Sequence, residues 1–289
     1  VKKGLNENMK MAQILDGKAM SADIKAEIKA EIERGNLQVG LAVVLVGDDP
    51  ASRIYVDWKK KDCAECGIKS FEHILPADVE QSELFALINR LNADTAVNGI
   101  LIQQPLPRQI DVTAANERIN PLKDVDAFHA ENTGRIMTGD YRLTACTPAG
   151  VMEMLKRAGI EVAGKDCVVV GRSNIVGKPM AMMLLHEHGT VTICHSRTQN
   201  LAEICRRADI LVAAIGKKDF ITADFVKKGA VVIDVGMNRG EGKKVYGDVD
   251  YDNVEPLAGW ITPVPGGVGP MTRAMLMKNT LTAKKLQLS

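Results

Sequence analysis

Residues 41–46 read Leu-Ala-Val-Val-Leu-Val and stop at Gly47. A continuous apolar run closed by glycine suits a strand buried on both faces. Further strands are read at Gly99-Ile100-Leu101-Ile102-Gln103, Cys167-Val168-Val169-Val170-Gly171 and Val191-Thr192-Ile193-Cys194, and over 210–215 and 230–235. Helical spacing fills the intervals. Ile24, Ile28 and Ile32 fall four apart within 18–34, residues 52–66 end at a capping Gly67, and Thr147-Pro148 opens a helix over 148–158. Further helices are expected over 82–92, 111–119, 178–188, 199–206 and 271–287. Strand and helix alternate throughout, which predicts two three-layer α/β domains with mainly parallel sheets. The polar, turn-rich stretch 120–147 is the expected boundary. The division is 9–146, completed by the last helix over 271–289, against 147–270, with 1–8 set aside as an extension.

Composition narrows the function classes. With 37 Lys+Arg against 36 Asp+Glu in 289 residues, the formal net charge is +1, which argues against a generally basic nucleic-acid binder. No apolar run approaches the roughly 18 residues of a membrane helix, and the first residues carry no secretory h-region. Six cysteines in a chain this long read as reduced thiols of a cytosolic protein. Cys63 and Cys66 have metal-like spacing but no second pair, and His186 and His188 fall on different helix faces. Lys59-Lys60-Lys61 and Lys227-Lys228 read as solvated faces, and Met180, Met182 and Met183 as core filler. No metal is expected.

Two regions carry chemistry. Gly171-Arg172-Ser173-Asn174-Ile175-Val176-Gly177-Lys178-Pro179 follows a buried strand and opens a helix. Glycine permits the tight turn, and the helix N-terminus offers unpaired N–H groups to a phosphate. The spacing is not a strict G-x-G-x-x-G, so a plain strand–helix turn stays open beside dinucleotide binding. The next strand ends in Cys194-His195-Ser196-Arg197-Thr198, without the acid that would hold a ribose 2′-hydroxyl. A hydroxyl beside a guanidinium, with Arg172 as a second charge, suits a 2′-phosphate and so NADP over NAD. In the first half, Tyr55 and Lys59 share a helix face, Gln103 ends a strand where ligands of open α/β sheets bind, and Asp124 and Asp126 lie in a loop. An i,i+4 Tyr/Lys pair is also what an ordinary surface helix carries.

The segments taken together resemble the bifunctional methylenetetrahydrofolate dehydrogenase/cyclohydrolase family from about Ile14 to the final helix. The matching stretches are Val46-Gly47-Asp48-Asp49-Pro50-Ala51-Ser52 with Tyr55 and Lys59, Gln103-Gln104-Pro105-Leu106-Pro107, Lys123-Asp124-Val125-Asp126, and 171–179. They continue in Asp234-Val235-Gly236-Met237-Asn238-Arg239 and in residues 262–272, Thr-Pro-Val-Pro-Gly-Gly-Val-Gly-Pro-Met-Thr. The resemblance implies a catalytic domain, a Rossmann-like NADP domain and an active-site cleft between them. It implies Lys59 as the acid/base of a hydrolytic step, Gln103 orienting it, Tyr55 stacking on the folate and Asp126 holding the pterin. It places cofactor contacts at Gly171, Arg172, Ser173, Ser196, Arg197 and Met237. Substrate contacts fall at Ile102, Gln104, Pro265, Gly266, Gly267, Val268, Gly269 and Pro270.

The implied activity is NADP-dependent oxidation of 5,10-methylenetetrahydrofolate to the methenyl form, then hydrolysis to 10-formyltetrahydrofolate, in a cytoplasmic homodimer serving one-carbon metabolism and purine biosynthesis. Small-molecule tetrahydrofolates are the implied partners, with no nucleic acid or membrane. The rival readings are a dehydrogenase with weak hydrolysis, a non-catalytic NADP-binding module, and an amino- or hydroxy-acid dehydrogenase. One position departs from the family pattern. Ala127 stands where glycine usually follows Asp-Val-Asp, and its methyl group restricts the backbone beside Asp126.

Overall fold

A computed structural model describes residues 11–240 and 244–288, so the expectation that 1–8 form an extension lies outside the described residues. Its elements begin with β1 (Gln13–Ile14), α1 (Gly17–Arg34), β2 (Gly40–Val46), α2 (Pro50–Cys66), β3 (Lys69–Leu75), α3 (Gln81–Ala93) and β4 (Gly99–Ile102). Next come α4 (Val112–Glu117), α5 (Ala130–Thr138), α6 (Cys146–Arg157), β5 (Asp166–Val170), α7 (Gly177–His186), β6 (Thr190–Cys194) and α8 (Leu201–Cys205). The chain ends with β7 (Ile210–Ala213), β8 (Val231–Asp234), β9 (Asn238–Arg239), β10 (Val245–Tyr246), α9 (Tyr251–Val254), β11 (Trp260–Ile261) and α10 (Val268–Leu286).

These elements form two α/β units. The first comprises 18–153 and 270–289, the second 154–269 with the described residues up to Gly17. The division read from the sequence differs over 11–17, over 147–153 and at Pro270. The reason for the first difference is that Gln13 and Ile14 pair with Trp260 and Ile261, making β1 the edge strand of the second unit's sheet.

In the first unit β2 is buried along its whole length and lies between β3 and β4, all parallel. The apolar run of 41–46 is thus a strand buried on both faces, as its composition suggests. β3 is absent from the expectations above. It is an edge strand whose Lys69 and Glu72 are exposed and interrupt the hydrophobic signal, and its residues pair one for one with β2 from Gly40↔Lys69 to Val46↔Leu75. A second difference lies in 120–147, read as turns, where α5 forms. Its short amphipathic face buries only Asn132 and Ile136.

The second unit holds a six-stranded parallel sheet in the order β1-β11-β8-β7-β5-β6, plus the small antiparallel β9–β10 pair. Its core joins Val168, Val170, Leu211, Val232 and Ile261 from the strands to Cys205, Val226 and Val254 outside them. Met180 and Met183 are buried on α7, as core filler should be. α7 ends at His186, two residues earlier than the periodicity suggests. His188 turns into the left-handed region at φ 65°, so the two histidines do not share a helix at all.

The helix that carries Tyr55 and Lys59 is fixed at both ends. Asp49 caps α2 by accepting from the Ser52 N–H at 2.8 Å, with Pro50 at the start. Gly67 ends it at φ 76°, with its N–H on Ala64 and the Ile68 N–H on the Cys63 carbonyl. A side chain is strained at that φ. Gly67→Ala should therefore cost about 1 kcal/mol and lower the melting temperature by about 2–4 °C in a thermal unfolding scan.

Candidate active site

Three segments of the first unit converge at the carboxyl end of β4. The Gln103 N–H donates to the Val44 carbonyl at 2.8 Å, prolonging the β2–β4 ladder by one residue beyond Ile102. Residues 123–126 run beside β4 on its other side. Ile100 bridges Asp124 in parallel and donates its N–H to the Lys123 carbonyl at 2.7 Å, which carries Asp126 level with Ile102. α2 supplies Lys59, whose Nζ donates to Gln103 Oε1 at 2.7 Å. Gln103 in turn donates from Nε2 to the Gln104 carbonyl at 2.7 Å, so the acceptor that faces Lys59 is fixed in orientation. Tyr55 lies one turn earlier on α2, half-buried and edge-to-face with Trp58 at 5.5 Å between ring centroids.

The motif Lys123-Asp124-Val125-Asp126 divides its labour. Lys123 is buried and donates Nζ to the Leu91 and Asp94 carbonyls at 3.0 and 2.7 Å, which closes the end of α3. The Asp124 carboxylate accepts from the His129 N–H and Asn132 Nδ2, so it holds the loop. The Val125 carbonyl takes the Cys146 thiol at 3.2 Å and Asn279 Nδ2 at 2.8 Å. That leaves Asp126 at the site. Ala127 adopts φ 57° and is buried, so the backbone keeps the left-handed turn a glycine would take freely.

Burial governs the charges. Desolvation pushes the Lys59 amine below the usual lysine range, while Asp126 opposes that shift and the Arg273 cation adds to it. Desolvation pushes Asp126 up in the same way, against the pull of Lys59. Lys60 and Lys61 form the solvated face expected of them and are not the source of this field. Lys60 pairs with Glu72 at 2.9 Å, and Lys61 is largely exposed near Glu65. The cation comes from α10, more than two hundred residues away in sequence, where adjacency gives no hint of it.

In the second unit, Gly171 ends β5 at φ 141°, and a Cβ there would stand 2.3 Å from the Ala214 carbonyl oxygen. A Cβ on Gly177 would stand 2.3 Å from the Gly171 carbonyl oxygen. Both glycines are thus required by close backbone approach, and they shape an open turn at the start of α7. Ser173 Oγ accepts from the N–H groups of Val176 and Gly177 at 3.1 and 3.3 Å. The Gly171 N–H donates to the Cys194 carbonyl at 2.9 Å, which sets this turn beside the one after β6. There His195 and Thr198 close the turn on each other's backbone and leave Ser196 and Arg197 exposed, as is Arg172. The three polar candidates for a 2′-phosphate therefore stand at neighbouring strand ends.

Met237 is half-exposed, and its Cε lies 3.9 Å from where a Cβ on Gly269 would be. It therefore lies near Gly269, which follows the turn of Pro265, Gly266 and Gly267 and with Val268 and Pro270 stands in the first turn of α10. Two buried carboxylates hold the surrounding loops. Asp248 accepts from the N–H groups of Ile215, Gly216 and Lys217 and from Asn238, and Asp234 accepts from those of Gly236, Asp248 and Val249. Burial raises Asp234 to about 6. Neither role is visible in the sequence, because each depends on loops brought together from different strands.

Comparison with known proteins now decides the lineage. Residues 15–126 match the tetrahydrofolate dehydrogenase/cyclohydrolase catalytic domain, and residues 145–288 match the NAD(P)-binding domain of the same family. The chain belongs to the tetrahydrofolate dehydrogenase/cyclohydrolase family. It is 59% identical to a bifunctional FolD protein of Acetivibrio thermocellus, over 96% of this chain and 98% of that one. The FolD dehydrogenase/cyclohydrolase crystal structure from Campylobacter jejuni superposes with a TM-score of 0.92 at 47% identity, covering 96% of this chain and 99% of that one. The Trypanosoma brucei enzyme, solved with NADP cofactor and an inhibitor, gives a TM-score of 0.92 at 38% identity over 96% and 99% of the two chains. Among the described residues no helix is long and apolar enough to cross a membrane.

Within this family member all six cysteines are buried. Cys63 lies 3.6 Å from Met277 Sδ, and burial pushes the thiols up, Cys63, Cys66 and Cys205 to about 12 and Cys167 to about 11. Raised thiol pKa values mean less thiolate at any working pH. A disulfide reagent at pH 8 should therefore titrate the native protein slowly, and all six thiols rapidly once denaturant is added.

Proposed function

We propose that the first unit binds the folate and carries the hydrolytic chemistry, and that the second binds NADP. The chain oxidises 5,10-methylenetetrahydrofolate and hydrolyses the methenyl product to 10-formyltetrahydrofolate. The observation that carries the site assignment is the desolvated Lys59 amine held on Gln103 beside Asp126.

Oxidation removes a hydride from the carbon that bridges two folate nitrogens, and the nitrogens stabilise the cation left behind. Bound NADP supplies the hydride acceptor. No base is needed, so the protein's contribution is to hold the pterin, through Tyr55 and Asp126, in one orientation. Hydrolysis is different, because water must lose a proton as it adds to the cationic carbon. Lys59, kept partly unprotonated by burial, accepts that proton. Collapse of the adduct then breaks one carbon–nitrogen bond, the freed nitrogen takes a proton, and one proton is released overall. Gln103 keeps the amine directed at the site.

The glycine turn of residues 171–177 fits the close approach of a pyrophosphate at the start of α7. Arg172, Ser173, Ser196 and Arg197 are the groups suited to a 2′-phosphate, with Met237 and the 265–270 turn beside the reacting end. Following the resemblance, the enzyme acts as a cytosolic homodimer, which sedimentation analysis checks.

The test is an assay with methylenetetrahydrofolate, offering NADP and NAD in parallel and following reduced cofactor and methenyl product separately. Lys59→Met should abolish hydrolysis while leaving NADP affinity unchanged in a binding titration; retained hydrolysis would remove Lys59 from its role. Arg172→Ala should raise KM for NADP about tenfold or more, the scale of a lost charge-assisted contact, and leave KM for NAD unchanged.

A further inference from the structure

Arg273 is the second cation of the Lys59 centre, and its placement is over-determined. Its guanidinium lies 5.0 Å from the Trp58 ring centroid, and its Nε lies 3.3 Å from Asp62 Oδ2. Trp58 and Asp62 are one turn apart on α2, on either side of Lys59 in sequence, so the guanidinium is pinned over the stretch of helix that presents the amine. Asp62 is 4% exposed and Arg273 26%, so the anchor is dry and the cation only partly wet.

The field of Asp62 does not cancel that of Arg273, because its other oxygen holds Lys25 at 2.9 Å and Lys25 is held in turn by Glu65. Asp62 Oδ2 has no hydrogen-bond partner. The guanidinium therefore faces it as a charge, without a forked bond that would draw it away from Trp58. The groups that act on Lys59 are Asp126, Cys146, Cys63 and Arg273. Burial keeps both thiols neutral at working pH. The balance at the amine is thus Asp126, which favours the ammonium, against Arg273, which opposes it.

We propose that Arg273 is a positioning residue for the hydrolytic step, a cation that Asp62 and Trp58 fix beside Lys59 so that the amine stands ready to accept a proton from water. This rests on the reading of Lys59 given above. It makes a demand that the reading alone does not, namely that the pH range of hydrolysis is set from α10.

The sign follows from charge. Removing a neighbouring cation raises the proton affinity of an amine, so less of it is free at neutral pH and the rising limb of a base-dependent rate moves to higher pH. With purified full-length enzyme and methenyltetrahydrofolate, the rate of hydrolysis is measured across about pH 6 to 8.5 with the uncatalysed rate subtracted. Arg273→Met should move the limb up by about half to one unit, a three- to tenfold loss at pH 7, whereas Arg273→Lys should keep the parent profile.

A profile of Arg273→Met that superimposes on the parent overturns the proposal. So does an Arg273→Lys profile displaced as far as that of Arg273→Met, since charge would then not be the operative property. A readout independent of turnover is the pH dependence of Lys59 acylation by a trace amine reagent, followed by mass spectrometry of the peptide. Reduced labelling in Arg273→Met at neutral pH supports the proposal, and equal labelling overturns it. If Arg273→Met unfolds early, Arg273→Gln takes its place in both measurements. Lys59→Met separates the two failures. Hydrolysis lost in Lys59→Met with an unmoved Arg273→Met profile sinks the role of Arg273 alone, and hydrolysis retained in Lys59→Met sinks both.

Discussion

The constraint on which the first unit turns is the desolvation of one ammonium group. A lysine taken out of water beside a strand end loses hydration that a single neutral acceptor does not replace. Its partner here is the Gln103 amide oxygen at 2.7 Å, and a carboxamide, unlike a carboxylate, does not stabilise the charged form strongly. The site is therefore biased toward the free amine by its own construction. Maintaining that bias takes the whole neighbourhood: the fully buried β2 that sets the height of Gln103, the capped α2 that sets the height of Lys59, and α10. Asn279 on α10 ties the Val125 and Thr144 carbonyls together behind Asp126.

The architecture was legible wherever burial on both faces wrote itself as an unbroken apolar run. β2, β4, β5, β7 and β8 are all of this kind, and the alternation with helices is enough to give the parallel α/β class. Two of the edge strands were harder. β3 mixes Lys69, Glu72 and His73 with apolar residues because one face and one edge meet water. β1 is two residues long and owes its existence to a partner nearly 250 positions later. Nothing local to residues 11–17 announces which sheet they join.

The candidate site divides in the same way. Tyr55, Lys59 and Gln103 could be singled out because helical spacing and the end of a strand are local signals, and Gly171 and Gly177 because backbone crowding demands glycine. What could not be read was the second layer. Asp124, beside Asp126 in the loop, holds that loop, and Lys123 closes a helix. Arg273, Asn279 and Asp248 look like ordinary surface residues in sequence, yet each acts on segments far from itself. Lys60 and Lys61, adjacent to Lys59 in sequence, fall on other faces of the helix and form the solvated face the sequence suggests.

The order in which the chain visits its two units has a consequence for synthesis. It leaves the second unit at residue 17, builds the first to residue 153, returns to the second until residue 269, and only then supplies the final segment of the first. A ribosome making this protein releases β2, α2 and β4 long before α10, whose Met277 and Asn279 pack against Cys63 and behind Asp126. The core of the first unit must therefore wait, incomplete and with apolar surface uncovered, for well over a hundred residues of translation. Quality control acting on nascent chains has its longest window on the half that carries Lys59.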